Sequence, residues 1–194
     1  MSVRNALTKL VLGRDKAEAI TAARVARSPD RKLMLEDYLP AFAAGGGRIL
    51  WVGCKLYTAD YPALLETQGA EVWTTDIDAR VEGYGRAGRH RTGDISEADT
   101  LFADLAFDAV LCNGILGFGV DRPEDQRMTL RALWKITAPG GRLLLGWNTD
   151  RIADPLGLAA PEFAPEPLGD LPARVEVPGV THVYDLLIRR EGVA

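Results

Sequence analysis

Residues 48–53 read RILWVG. The run is almost wholly apolar and closes on Gly53. A strand with one wet face alternates apolar and polar residues. An unbroken apolar run instead marks a parallel strand covered on both faces. A glycine at the end of such a strand lets the backbone pass close to a ligand. A helix that follows it aims amide hydrogens and a partial positive charge at the same place. The same glycine would also serve a plain strand-to-helix turn.

Downstream the pattern repeats as strand, turn and helix. Pro62 to Gln68 predicts a helix, with Leu64 and Leu65 facing inward and Gly69 behind it. AEVWTTD (70–76) predicts a second strand, and Arg89 to Gly93 a short third one. Ser96 to Ala106 predicts a helix, and FDAVLCNG (107–114) a fourth strand. Pro123 to Ala138 predicts a helix with Leu130, Leu133 and Trp134 at helical spacing, ended by Pro139-Gly140-Gly141. RLLLGWN (142–148) predicts a fifth strand. This alternation predicts an α/β fold, a Rossmann-like doubly wound sheet joined by right-handed crossovers. After Asn148 the rhythm fails, and the proline-rich residues 150–178 predict an irregular excursion. ARVEV (173–177), a Pro-Gly turn and THVYDLLIRR (181–190) predict a C-terminal antiparallel hairpin on the mostly parallel sheet.

Upstream, residues 1–47 predict an N-terminal helical flank to the α/β domain of residues 48–194, one domain overall. RDKAEAITAARVAR (14–27) is rich in helix formers. Ser28-Pro29-Asp30 reads as a cap, a first-turn proline and an acid at a helix start. Leu35, Tyr38, Leu39 and Phe42 follow at helical spacing, Pro40 should kink or shorten that helix, and Gly45-Gly46-Gly47 stops it. The first residues predict an amphipathic arm, with Val3, Leu7, Leu10 and Val11 set against Arg4, Lys9 and Arg14.

Composition bounds the function. The chain has 194 residues, 47% of them hydrophobic, which suits one domain with an ordinary core. Net charge is -4, so there is no basic excess of the kind a nucleic-acid binder shows. No stretch spans a bilayer, and the N-terminus lacks the pattern of a secretory signal. The two cysteines, Cys54 and Cys112, lack metal-ligand spacing and read as small buried thiols in a cytoplasmic protein. No nucleic-acid, membrane or metal role is expected.

In an open parallel sheet the ligand sits beyond the carboxyl ends of the strands, so those ends hold the candidates. Gly53 closes the first. Asp76 closes the second, 23 residues on, where a carboxylate can accept both hydroxyls of a ribose or simply cap a loop; Asp78 is the fallback. Asp94 after the third can accept from an adenine amine, with the Ile95 N–H reaching a ring nitrogen, or it can cap the next helix. Asn113 closes the fourth as a binding residue or a turn residue. Trp147, Asn148 and Asp150 close the fifth, with Trp147 as an aromatic wall or a core residue. His90 and His182 stand alone and read as structural.

Taken together, Gly53, Asp76, Gly93-Asp94, FDAVLCNG, the helix running into APGGRLLLGWN and the final hairpin resemble the class I S-adenosylmethionine-dependent methyltransferases. The resemblance covers about Arg48 to Asn148 and implies S-adenosylmethionine as cofactor. It implies that Gly53 and its loop hold the methionine part and Asp76 the ribose. Ile77 would pack on the adenine, Asp94 and Ile95 would read its edge, and the backbone near Asn113 would meet the methionine amino group. The family carries an acid and two further glycines where this chain has Trp51, Lys55 and Tyr57, which resembles a branch with an altered glycine loop. There the loop would run wider, Tyr57 would cover the ligand and Lys55 would meet its carboxylate. The implied function is methyl transfer to an unidentified acceptor, a small molecule favoured. Substrate choice would lie in the N-terminal helices, the loop from Gly114 to Asp121 and the proline-rich excursion. A base stays unassigned, Asp150 and Tyr57 being guesses. The alternatives are a non-catalytic binding or regulatory protein of this fold and an NAD-binding oxidoreductase, which lacks its G-x-G-x-x-G here.

Overall fold

A computed structural model describes residues 14–159 and 161–192. The expected amphipathic arm falls almost wholly outside them.

Helix α1 (Arg14–Val25) leads, by way of Ser28, into α2 (Pro29–Leu33). A widened π-turn over Met34–Tyr38 joins α2 to α3 (Leu39–Gly45). The expected kink at Pro40 takes this form. Proline has no N–H and crowds the carbonyl four residues back, and one wider turn relieves both. The Leu39 N–H accordingly donates to the Met34 carbonyl, five residues back.

Strand β1 (Arg48–Val52) follows, and after it a 3-10 turn over Leu56–Thr58 and α4 (Tyr61–Leu65). Next come β2 (Glu71–Asp76), β3 (His90–Thr92), α5 (Ala98–Leu101) and β4 (Phe107–Asn113). The chain then forms α6 (Pro123–Ile136), β5 (Thr137–Asn148), α7 (Leu156–Ala159), β6 (Phe163–Pro165), β7 (Arg174–Glu176) and β8 (His182–Arg189). One mixed sheet runs in the order β3-β2-β1-β4-β5-β8-β6, with β7 also on β8. The pairs among β1 to β5 are parallel, and those of β8 with β5, β6 and β7 antiparallel. This is the Rossmann-like, mostly parallel sheet with a C-terminal antiparallel hairpin.

Period-2 alternation splits the core between the two faces. Leu50 and Val52 of β1 pack with Phe102, Leu130 and Leu133 on one side. Ile49 and Trp51 pack with Met34, Tyr38, Leu39 and Phe42 on the other. The helical flank therefore supplies Met34, Tyr38, Leu39 and Phe42 to that core layer. Tyr38 lies 4.8 Å from the Tyr184 ring, tying that flank to β8. Phe102 and Phe107 meet edge to face at 5.2 Å beneath α6.

Four expectations are corrected. Leu64 is 41% exposed, because in the five-residue α4 the inward face falls to Tyr61 and Leu65. The helix expected over Ser96 to Ala106 shrinks to a 3-10 turn at Ile95–Glu97 and the four residues of α5, where the chain turns to bury Phe102. Pro139-Gly140-Gly141 bulges within β5 rather than preceding it, since the β4–β5 register jumps from Phe107↔Thr137 to Ala109↔Arg142. The proline-rich excursion carries α7, β6 and β7, and both strands find unpaired edge on β8.

Among the described residues no helix is long and apolar enough to cross a membrane, and no group of three or more His, Cys, Asp or Glu could hold a metal ion.

Candidate active site

A cleft of about 310 Å³ lies beyond the carboxyl ends of β1 to β5. Gly53, Lys55, Tyr57 and Asp76 line it, as do Ile77, Asp94, Ile95 and Asn113. These eight residues are the candidates of the sequence, and they come from four different strand ends.

The first turn begins at Gly53, whose φ of +89° suits glycine alone. Trp51 stands where the family has an acid. Its indole N–H donates to the Gly53 carbonyl at 2.8 Å, and its ring meets Tyr61 edge to face at 5.1 Å. The indole thus fixes the turn from within the core. The Lys55 N–H donates to Thr58 Oγ1 at 3.0 Å, which closes a compact turn over Leu56–Thr58 before α4.

Asp76 is buried and faces that turn. Its Oδ2 accepts the Cys54 N–H at 2.8 Å and lies 3.3 Å from Lys55 Nζ; its Oδ1 accepts the Asp78 N–H at 2.9 Å. Lys55 therefore reaches the ribose candidate, not a point where a ligand carboxylate would stand alone. Asp78, the fallback, points away and accepts from Arg80 at 2.7 Å, which holds its carboxyl down at about 2. Asp94 takes the capping role too, accepting from the Ser96 N–H at 2.9 Å and the Ser96 hydroxyl at 2.8 Å. Ile77 is 70% exposed on the cleft rim, an apolar face that the described residues leave open, while Ile95 is buried below.

Tyr57 carries the Arg31 guanidinium 5.2 Å over its ring. Arg31, Ile115, Phe118, Asn148 and His182 also line the cleft; Arg31 comes from the N-terminal helices and Ile115 and Phe118 from the loop from Gly114 to Asp121, two of the expected regions, although the sequence singled out none of the three by residue. Arg31 follows the cap at Ser28-Pro29 by a few residues; nothing in its own neighbourhood tells a site residue from a surface one. His182 and Asn148 face each other across β8 and β5, with His182 Nδ1 3.1 Å from Asn148 Oδ1. His90 instead meets Thr74 Oγ1 at 2.9 Å near the sheet edge. Trp147 is no cleft wall. It points to the opposite face, where its indole N–H donates to Asp185 at 2.8 Å. Asp150 does not line the cleft either; it accepts from the Thr181 hydroxyl at 2.7 Å. Among the described residues, 150–178 contribute no cleft wall.

Both cysteines are free and buried. Burial raises the Cys54 thiol to about 11, helped by the Asp76 charge, and burial alone raises Cys112 to about 12. Neither is a nucleophile at neutral pH.

Residues 50–145 match the family model described as a methyltransferase domain. The chain belongs to the class I S-adenosylmethionine-dependent methyltransferases. Its cofactor is S-adenosylmethionine. The N-methyltransferase NodS from Bradyrhizobium japonicum WM9 is similar in structure, with a TM-score of 0.67 and 15% identity over 86% of this chain and 99% of that one. NodS in complex with S-adenosyl-L-homocysteine is similar at a TM-score of 0.65 and 16% identity, over 87% and 91% of the two chains. A TehB-like S-adenosylmethionine-dependent methyltransferase from Corynebacterium glutamicum is similar at 0.62 and 19%, over 89% and 100%. No curated protein matches the chain.

This methyltransferase has room and chemistry for the adenosyl group. Asp76 Oδ1 makes a single hydrogen bond, so acceptor capacity remains. Lys55 is half exposed and free to swing off Oδ2. The exposed Ile77 face offers a flat apolar seat. The cleft volume lies at the lower end of the range for small-ligand sites.

Proposed function

We propose that this methyltransferase transfers a methyl group to a small molecule held in the cleft. Bound there, S-adenosylmethionine supplies a methyl already activated on a sulfonium. The protein's work is then alignment, worth roughly 7–11 kcal/mol in favourable cases. Asp76 would hold the ribose hydroxyls and Ile77 and Ile95 the adenine faces. The Asp94 and Ile95 pair would meet the adenine edge. Gly53 with Lys55 and Tyr57 would cover the methionine part, and the backbone near Asn113 would meet its amino group.

The observation that carries this reading is convergence: eight residues chosen from four separate strand ends line one cleft. A small acceptor is supported by what adjoins it. A second, more open pocket of about 440 Å³ shares Arg31, Tyr57, Phe118, Asn148 and His182 with the cleft, so an acceptor can approach from that side. The net charge of -4 supports a small molecule over a phosphate backbone. Two free thiols suit a reducing cytoplasm.

Calorimetric titration of the whole protein with S-adenosylhomocysteine, and with NADH beside it, tests the reading. Saturable one-site binding of S-adenosylhomocysteine alone is expected. No binding of it, or preference for NADH, overturns the assignment of these residues.

A further inference from the structure

Arg31 brings to the cleft a cation that the roles given above leave unused. It lines both the cleft and the adjoining pocket, and among the described residues it is the one cation lining that pocket. Lys55, the other cation of the cleft, stands 3.3 Å from Asp76. The Arg31 side chain is 9% exposed. An arginine buried to this degree for packing alone places its N–H groups on acceptors. Here Nε has no hydrogen-bond partner, and Asp30 Oδ2 stands 3.3 Å from it as an ion pair. Nη1 and Nη2 donate to no described residue either, but unlike Nε they keep accessible surface.

Three contacts set how the guanidinium is presented. Its carbon stands 5.2 Å over the Tyr57 ring, so one face is covered. Asp30 occupies the Nε side. The Tyr184 hydroxyl, buried on β8, donates to the Asp30 carbonyl at 3.1 Å and ties the start of α2 to the sheet. The terminal edge of Nη1 and Nη2 is what remains open, two parallel N–H bonds in one plane. That fork matches the two oxygens of a carboxylate, which the point charge of a lysine does not.

We propose that Arg31 seats a carboxylate carried by the methyl acceptor, so that the acceptor is a small carboxylic acid. This rests on the methyltransferase reading above. The adjoining pocket contains none of Gly53, Asp76, Ile77, Asp94, Ile95 or Asn113, so the seat proposed for the adenosyl group stops short of it. It does contain Asn148 and His182, on β5 and β8, several strands along the sheet from Asp76 on β2. Arg31 thus stands where cleft and pocket meet, with space on the side away from the adenosyl group. Asp30 lines the pocket as well, and a fixed negative charge there favours a carboxylate with one charge over a phosphate with two. Tyr57 and Phe118 line both cavities and offer apolar rings to the rest of the acceptor. The carboxylate is the handle and not the methylated atom, because two N–H bonds from a cation engage its lone pairs.

Benzoate, benzamide and phenyl phosphate share a ring and differ in the charge they carry. Each is titrated by calorimetry into the whole protein saturated with S-adenosylhomocysteine, and again with methylthioadenosine, which lacks the amino-acid part. Benzoate should bind at least about tenfold more tightly than benzamide, by the same factor with either nucleoside. Arg31→Met should erase that preference, and Arg31→Lys should keep only part of it. Equal affinity for benzoate and benzamide, or tighter binding of phenyl phosphate than benzoate, overturns the proposal. So does a benzoate preference seen with methylthioadenosine alone, which would give Arg31 to the methionine carboxylate instead. If neither nucleoside binds the unaltered protein, the methyltransferase reading of the cleft falls and takes this proposal with it, an outcome distinct from loss of the benzoate preference. Should Arg31→Met not fold, the comparison on the unaltered protein decides alone.

Discussion

Lys55 Nζ stands 3.3 Å from Asp76 Oδ2, so the residue that replaces a family glycine occupies the carboxylate proposed for the ribose. The lysine side chain is half exposed and the aspartate buried. A half-exposed pair is worth about 1 kcal/mol at most. Ribose hydroxyls would therefore displace Lys55 at small cost. Lys55→Met should tighten S-adenosylhomocysteine binding by up to about fivefold. Asp76→Asn should weaken it about tenfold or more, the loss of a charged acceptor. Calorimetry on both variants checks this; a large loss in Lys55→Met would mean that the ammonium holds the ligand instead.

Trp51 fixes the first turn through its hydrogen bond to the Gly53 carbonyl. Trp51→Phe keeps the packing against Tyr61 and removes that bond alone. We expect a loss of about 1 kcal/mol in urea unfolding and faster amide exchange at residues 53–58. Unchanged exchange there would show that the indole N–H does not organise the loop.

His182 is held neutral by burial, with a folded value of about 4 against an ordinary 6.5. The unfolded chain takes up a proton first, so the folded state loses stability as pH falls from 6.5 toward 4. His90 is moved the same way, also mainly by burial. Where the folded and unfolded chains titrate a group one pH unit apart, the difference is worth about 1.4 kcal/mol. Carboxylates that Arg partners hold down, such as Asp104 at about 2, contribute above 3.8 and lose their share only below it. Unfolding free energy should therefore already fall between pH 6.5 and 4.5. In His182→Gln that slope should flatten; an unchanged slope would place the titration elsewhere.

Asp185 is 1% exposed and accepts from Arg174 Nε at 2.6 Å and from the Trp147 indole at 2.8 Å. Arg174 also holds Asp154 at 2.7 Å. The guanidinium thereby clips β7 and the start of the excursion onto β8. Arg174→Ala leaves a buried carboxylate without its cation and should cost about 3 kcal/mol by chemical unfolding. Pairing it with Asp185→Leu should recover much of that loss. If the double variant is as unstable as the single one, the clip acts through packing and not through charge.

The sequence alone determined the sheet, its strand ends and the glycine turn, because burial on two faces forces unbroken apolar runs and parallel strands bring their carboxyl ends to one edge. Gly53, Asp76, Asp94 and Asn113 could be picked by that rule without knowing strand order. Local composition did not show that Trp147 turns from the cleft while Asn148 faces it; that depends on which face of β5 points where. Nor did it show that Lys55 folds onto Asp76, or that Arg31 arrives from a helix more than twenty residues upstream of the first turn. The pairing of His182 with Asn148 was invisible for the same reason. It needs β8 to insert antiparallel beside β5. Backbone pattern is a local property of the chain, whereas which side chains share a cavity is set by register and packing between segments far apart in sequence.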